Sequence, residues 1–111
     1  MSIYKEYTYD RAIELENLKS PDDRLATGAL LAITHNDQDW EWTQDLCIKL
    51  LNSPNIHLQY LSVTCLGHIA RIHSKINEKK VLAAFNKKMS DPEIVGRIED
   101  AISDINIFTK R

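Results

Sequence analysis

Residues 53–73 read SPNIHLQYLSVTCLGHIARIH, and this stretch decides the fold. Leu58, Leu61, Cys65, Ile69 and Ile72, continuing to Ile76, recur at steps of three and four, the spacing of one buried helical face. Ser53 stands before Pro54, the pair expected where a capping oxygen precedes a proline in the first helical turn. Ser20-Pro21 and Asp91-Pro92 repeat that arrangement, so three helices are predicted to begin at these points.

The segments after the prolines share a buried seam. Ala29-Leu30 with Ile33, Cys65-Leu66 with Ile69, and Ala101-Ile102 with Ile105 are spaced 36 residues apart. A period between about 20 and 50 residues marks a repeat whose units bury their apolar faces only by stacking, and about three units make a stable stack. Ahead of each seam lies another amphipathic segment: YDRAIELENLK, WEWTQDLCIKLLN and EKKVLAAFNKKM. The sequence therefore predicts six helices, over 9–19, 21–35, 39–52, 54–74, 78–89 and 92–106, paired as three αα-hairpins. Glycine and proline are scarce, three of each, and no alternating β-branched run supports a strand. Gly28, Gly67 and Gly96 sit alone inside helices, where close helix approach is the expected reason for them.

Composition fits one domain. The chain has 111 residues, 43% hydrophobic and 27% charged, and its net charge is −2. That balance excludes a disordered or membrane-embedded chain and supplies no basic field for nucleic-acid phosphates. No apolar run approaches the roughly 20 residues of a bilayer span, and MSIYKEYTYDR lacks the apolar core of a signal peptide, so a cytoplasmic location is expected. Cys47 and Cys65 lie among apolar neighbours, as buried reduced thiols do.

No catalytic, cofactor-binding or metal-ligating residue is predicted. Cys47, Cys65, His68 and His73 lack zinc spacing, since there is no Cys-x-x-Cys and His68 and His73 are about 140° out of phase on a helix. Cys65 and His68 could be neighbours, but Cys65 occupies the buried seam, where a thiol is desolvated. The isolated glycines form no phosphate loop.

SPNIHLQYLSVTCLGHIA and SDPEIVGRIEDAISDI resemble the second-helix pattern of HEAT repeats, with a capped proline, spaced aliphatics and a small-Leu-Gly step. The first copy, SPDDRLATGALLAI, resembles it less closely. The resemblance implies an all-α fold in which three hairpins, 9–35, 39–74 and 78–106, form one short right-handed solenoid over residues 1–111. DWEWTQDLCIKLL, TCLGHIARIH and GRIEDAISDI are further similar to small bacterial HEAT-like proteins, some of which resemble immunity proteins of contact-dependent growth inhibition systems. That resemblance implies a monomer that forms a heterodimer with a toxin domain and neutralises it.

Two surfaces are candidates for such a partner. His57, Tyr60, Thr64, His68, Arg71 and Lys75 form a polar ladder beside the buried stripe of the fourth helix. In a HEAT-like stack the second helices line the concave side. The period places Thr64 beside Gly28 and Asp100, and His68 beside Ala32 and Asp104, while the third repeat adds Glu93 and Glu99. An ordinary solvated face is the alternative.

The second surface is HNDQDWEWTQD, with Asp37, Asp39, Glu41 and Asp45 around Trp40 and Trp42. Trp42 is in phase with Leu46 and is expected to be buried, leaving Trp40 at the rim as an anchor for a basic partner. The alternative is that Asp39 caps the third helix and Trp40 staples its first turn. The leading functional expectation is an immunity protein that covers the active or substrate-binding site of a basic nuclease, such as an RNase. The alternative is a general protein-binding scaffold, a use to which repeat surfaces are often put. An enzyme finds no support.

Overall fold

In a computed structural model that describes residues 7–110, the chain is all-α. Six helices occur among the described residues: α1 (Arg11–Leu18), α2 (Asp23–Asn36), α3 (Trp40–Leu50), α4 (Ile56–His73), α5 (Glu78–Asn86) and α6 (Pro92–Thr109). Pro92 opens α6 at its first turn behind the cap Asp91, as predicted. The other two prolines stand further upstream. Asp22 caps α2 by accepting from the amides of Arg24 and Leu25, and Asn55 caps α4 by accepting from those of His57 and Leu58. Ser20 and Ser53 instead accept from the amides of those caps, at 3.0 and 3.1 Å. Ser-Pro is thus a short turn feeding the cap, and α2 and α4 start two residues later than their prolines suggest. At the far end α4 stops at Ser74, which takes a left-handed φ of 56°.

α4 is the centre of the molecule. It packs most extensively on α6, then on α2 and α3, while α1 packs on α2. Because three helices cover α4, its buried set exceeds one stripe: Ser62, Val63, Leu66, Gly67 and Ala70 join Leu58, Cys65 and Ile69. Ile72, in the last turn, is exposed instead of buried. Each large aliphatic side chain enclosed in this way contributes about 1.5–3 kcal/mol. The core continues through Leu30, Phe85, Ile94, Ile98 and Ile105.

Polar contacts between helices recur at nearly one separation. Asn55 with Asp23, His68 with His35, Asn77 with Gln44, Lys80 with Asp45, and Arg71 with Asp104 join residues 32 to 35 apart. Asn55 meets Asp23 at one end of the α2/α4 pair and His68 meets His35 at the other, while Tyr60 faces Arg97 and Arg71 faces Asp104 along α6, so α2, α4 and α6 run in the same direction. α5 is tied to the middle of α3 at a similar separation, and its cap region receives the buried side chain of Gln44, whose Oε1 accepts from the Asn77 amide at 2.7 Å. Lys110 and Glu78 close the last helix onto the beginning of α5 at 2.9 Å.

Of the three glycines, Gly67 alone marks a close approach. A methyl group there would stand 3.2 Å from the Ala101 Cα and 3.0 Å from Asp104 Oδ2. Gly28 and Gly96 face open space, contrary to the expectation of tight packing. Val63, Leu66, Gly67 and Ala70 of α4 are buried; 36 residues on, α6 carries Glu99, Ile102, Ser103 and Asn106. Glu99, Ser103 and Asn106 are exposed and Ile102 is half-buried, so most of these α6 positions are polar and open where those of α4 are packed. The Cα trace measures 50 × 35 × 20 Å, and its short axis fits two layers of helices about 10 Å in diameter.

A polar cleft between α4 and α6

Thr64, His68 and Arg71 on α4 face Arg97, Asp100, Ser103 and Asp104 on α6 across a cleft of about 420 Å³ floored by Ala101. Five of the ladder residues expected from the sequence therefore meet in one place: Thr64, His68, Arg71, Asp100 and Asp104. α4 and α6 run side by side, with Arg71 against Asp104 and Gly67 against Ala101, and this brings Thr64 and His68 near Asp100 and Asp104, each 36 residues further on.

The charges in the cleft are partly matched. Arg71 Nη2 donates to Asp104 Oδ2 at 3.3 Å, and its guanidinium stands 5.8 Å from the Phe108 ring. Arg97 lies over the ring of half-buried Tyr60 at 5.2 Å, a cation–π arrangement. Neither Arg97 nor Asp100 has an ion-pair partner among the described residues. His68 meets His35 of α2 edge to face, with ring centroids 5.3 Å apart. Burial, reinforced by His35 and Arg71 and opposed by Asp104, holds the His68 imidazole below its usual range, so it is neutral at pH 7. Glu93 is exposed at the start of α6 and does not line the cleft.

On the second predicted surface Asp37 is buried, while Asp39, Glu41 and Asp45 are exposed. Asp37 is 6% exposed. It accepts from Arg11 Nε and Nη2 at 2.8 Å each, from the Tyr9 hydroxyl at 2.6 Å and from the Asp39 amide at 3.0 Å. Asp39 caps α3 through the Trp42 amide. Trp40 is half-buried and packs on the core, whereas Trp42 lies under the Arg11 guanidinium at 3.9 Å. Both rings are half-buried, so neither is the fully enclosed side chain expected of Trp42: the Arg11 cation held by Asp37 covers Trp42, and Trp40 rests against the core. Glu41 remains exposed in the first turn.

Compared with family models, with curated protein sequences and with solved structures, the chain has no match. Cys47 and Cys65 are free and fully buried in the core, where burial and the neighbouring sulfur hold the Cys47 thiol well above its usual range. Among the described residues no three His, Cys, Asp or Glu side chains are grouped to hold a metal ion, and no helix is long and apolar enough to cross a membrane.

Three cleft features went unread in the sequence: Arg97, Ser103 and the His35 neighbour of His68. Arg97 stands four residues after Glu93 and three before Asp100, so the same helical spacing that exposes the acidic ladder also finds it. An apolar groove of about 350 Å³ between α5 and α6, lined by Leu82, Phe85, Met89, Ile98 and Ile102, was likewise hidden, because these residues read as core.

Proposed function

We propose that this chain is an immunity protein of a contact-dependent growth inhibition system, built as a short HEAT-like stack of three hairpins. It binds a cognate toxin domain, a basic nuclease such as an RNase, and covers its active or substrate-binding site. The free protein is a cytoplasmic monomer, the complex a heterodimer, and neutralisation needs no turnover, cofactor or direct contact with nucleic acid.

The observation that carries the reading is the assembly of the predicted ladder around one cleft, on helices in constant register. The separations of 32 to 35 residues support the repeat stack, because stacked units of one length meet at about one period. The charge of α6 supports a basic partner: between Asp91 and Asp104 five carboxylates stand against Arg97 alone. A nuclease needs positive charge for phosphates, and an acidic face complements it and speeds association.

Co-expression with the toxin domain encoded next to this chain tests the proposal. The two are expected to copurify one to one and the nuclease activity to disappear; activity undiminished by excess of this chain refutes it. The apolar α5/α6 groove favours a second reading, a general protein-binding scaffold, because its lining carries no charge and it lies apart from the ladder.

A further inference from the structure

The α4/α6 cleft already holds one guanidinium. Arg71 reaches Asp104 through a single 3.3 Å contact while its side chain remains 52% exposed, a loose arrangement for an arginine, whose fork pairs best in bidentate fashion. Gly67 leaves the Asp104 carboxylate uncovered on the α4 side, since any Cβ there would sit 3.0 Å from Oδ2. The Phe108 ring, 5.8 Å from the Arg71 guanidinium, offers that cation another resting place. Asp100, one turn earlier, has no cation within ion-pair distance among the described residues.

Two carboxylates and the hydroxyls of Thr64 and Ser103 thus converge on one space. That acceptor set suits an ammonium with three donors or a guanidinium with five. An anionic guest would meet Arg71 and Arg97, but Arg71 is engaged by Asp104 and Arg97 rests on Tyr60. Between Asp91 and Asp104 five carboxylates stand against Arg97, which makes the α6 side of the cleft acidic.

We propose that the α4/α6 cleft is a receptor for a lysine or arginine side chain of a basic partner protein, and that Arg71 is a built-in stand-in that leaves Asp104 when the guest enters. The identity of the partner rests on the toxin-binding reading; the chemistry of the receptor does not. Arg71 therefore acts against binding, opposite to what a contact residue would do.

Titration of the full chain with N-acetyl-arginine methylamide, followed by amide chemical shifts, tests the receptor without any toxin. Saturable shifts are expected at Thr64, Gly67, Asp100, Ser103 and Asp104, and not with N-acetyl-glutamate methylamide or inorganic phosphate. Arg71→Ala removes an exposed ion pair and is expected to tighten the arginine probe about two- to fivefold. Asp100→Asn with Asp104→Asn abolishes its saturable binding, with the helical circular dichroism retained. Stronger binding of either anion, unsaturable shifts spread over the surface, or weaker probe binding in Arg71→Ala would each overturn the receptor. Probe binding with no toxin capture refutes only the toxin reading, and toxin capture without probe binding refutes only the receptor.

Discussion

Asp37 shows how a carboxylate that reads as a surface group becomes a structural one. Four donors surround it, Arg11 foremost, and they hold its pKa down from 3.8 to about 2. A carboxylate with a depressed folded pKa stabilises the fold fully above its unfolded value, and loses that contribution as pH falls through the folded value. Asp37 should therefore support the fold down to about pH 4 and cease to do so near pH 2, worth about 2 kcal/mol across that window. Asp37→Asn is expected to lower stability by a similar amount at pH 7 and to flatten the acid limb of urea-denaturation midpoints measured against pH. The glycines divide in the same concrete way. Gly28→Ala enters open space inside α2 and should stabilise by up to about 1 kcal/mol, whereas Gly67→Ala forces α4 and α6 apart and should destabilise by about 1–3 kcal/mol. Paired thermal melts of these variants read the difference in sign. In the sequence the two look alike, as isolated helical glycines, because the distance to a neighbouring helix is a tertiary fact.

At the scale of elements, most of what formed was legible. Periodicity placed all six helices, since apolar spacing near 3.6 reports burial of one face whatever the neighbours are. The starts of α2 and α4 were less legible, because Ser-Pro before Asp22 and Ser-Pro before Asn55 present two capping residues each, and the one nearer the helix wins. Asn55→Ala should consequently cost about 1 kcal/mol in chemical denaturation, and Ser53→Ala distinctly less, as only the first leaves the His57 and Leu58 amides without their acceptor. The cover over Trp42 was not legible, because Arg11, 31 residues away, lies on that ring and nothing local to HNDQDWEWTQD signals it.

At the scale of the whole molecule, the 36-residue period carries the argument from sequence to surface. It equated Thr64 with Asp100 and His68 with Asp104, and the helices bring these residues to one cleft. The period also equates buried Val63, Gly67 and Ala70 with Glu99, Ser103 and Asn106, which are polar and exposed on α6. Arg97 is the single base between Asp91 and Asp104, so the composition of that strip reads as acidic. The α5/α6 groove was not legible, because burial is inferred from pattern, while the spacing of two helix backbones is not. The most direct test of the account is the affinity of the toxin domain, by titration calorimetry, for the double variant Asp100→Lys with Asp104→Lys beside Trp40→Ala. Reversing two charges in the binding cleft should weaken the complex about 100-fold or more. Trp40→Ala, at a ring packed on the core, should change it about threefold at most once folding is verified. Wild-type affinity in the charge-reversed protein would contradict the assignment of the α4/α6 cleft as the binding face.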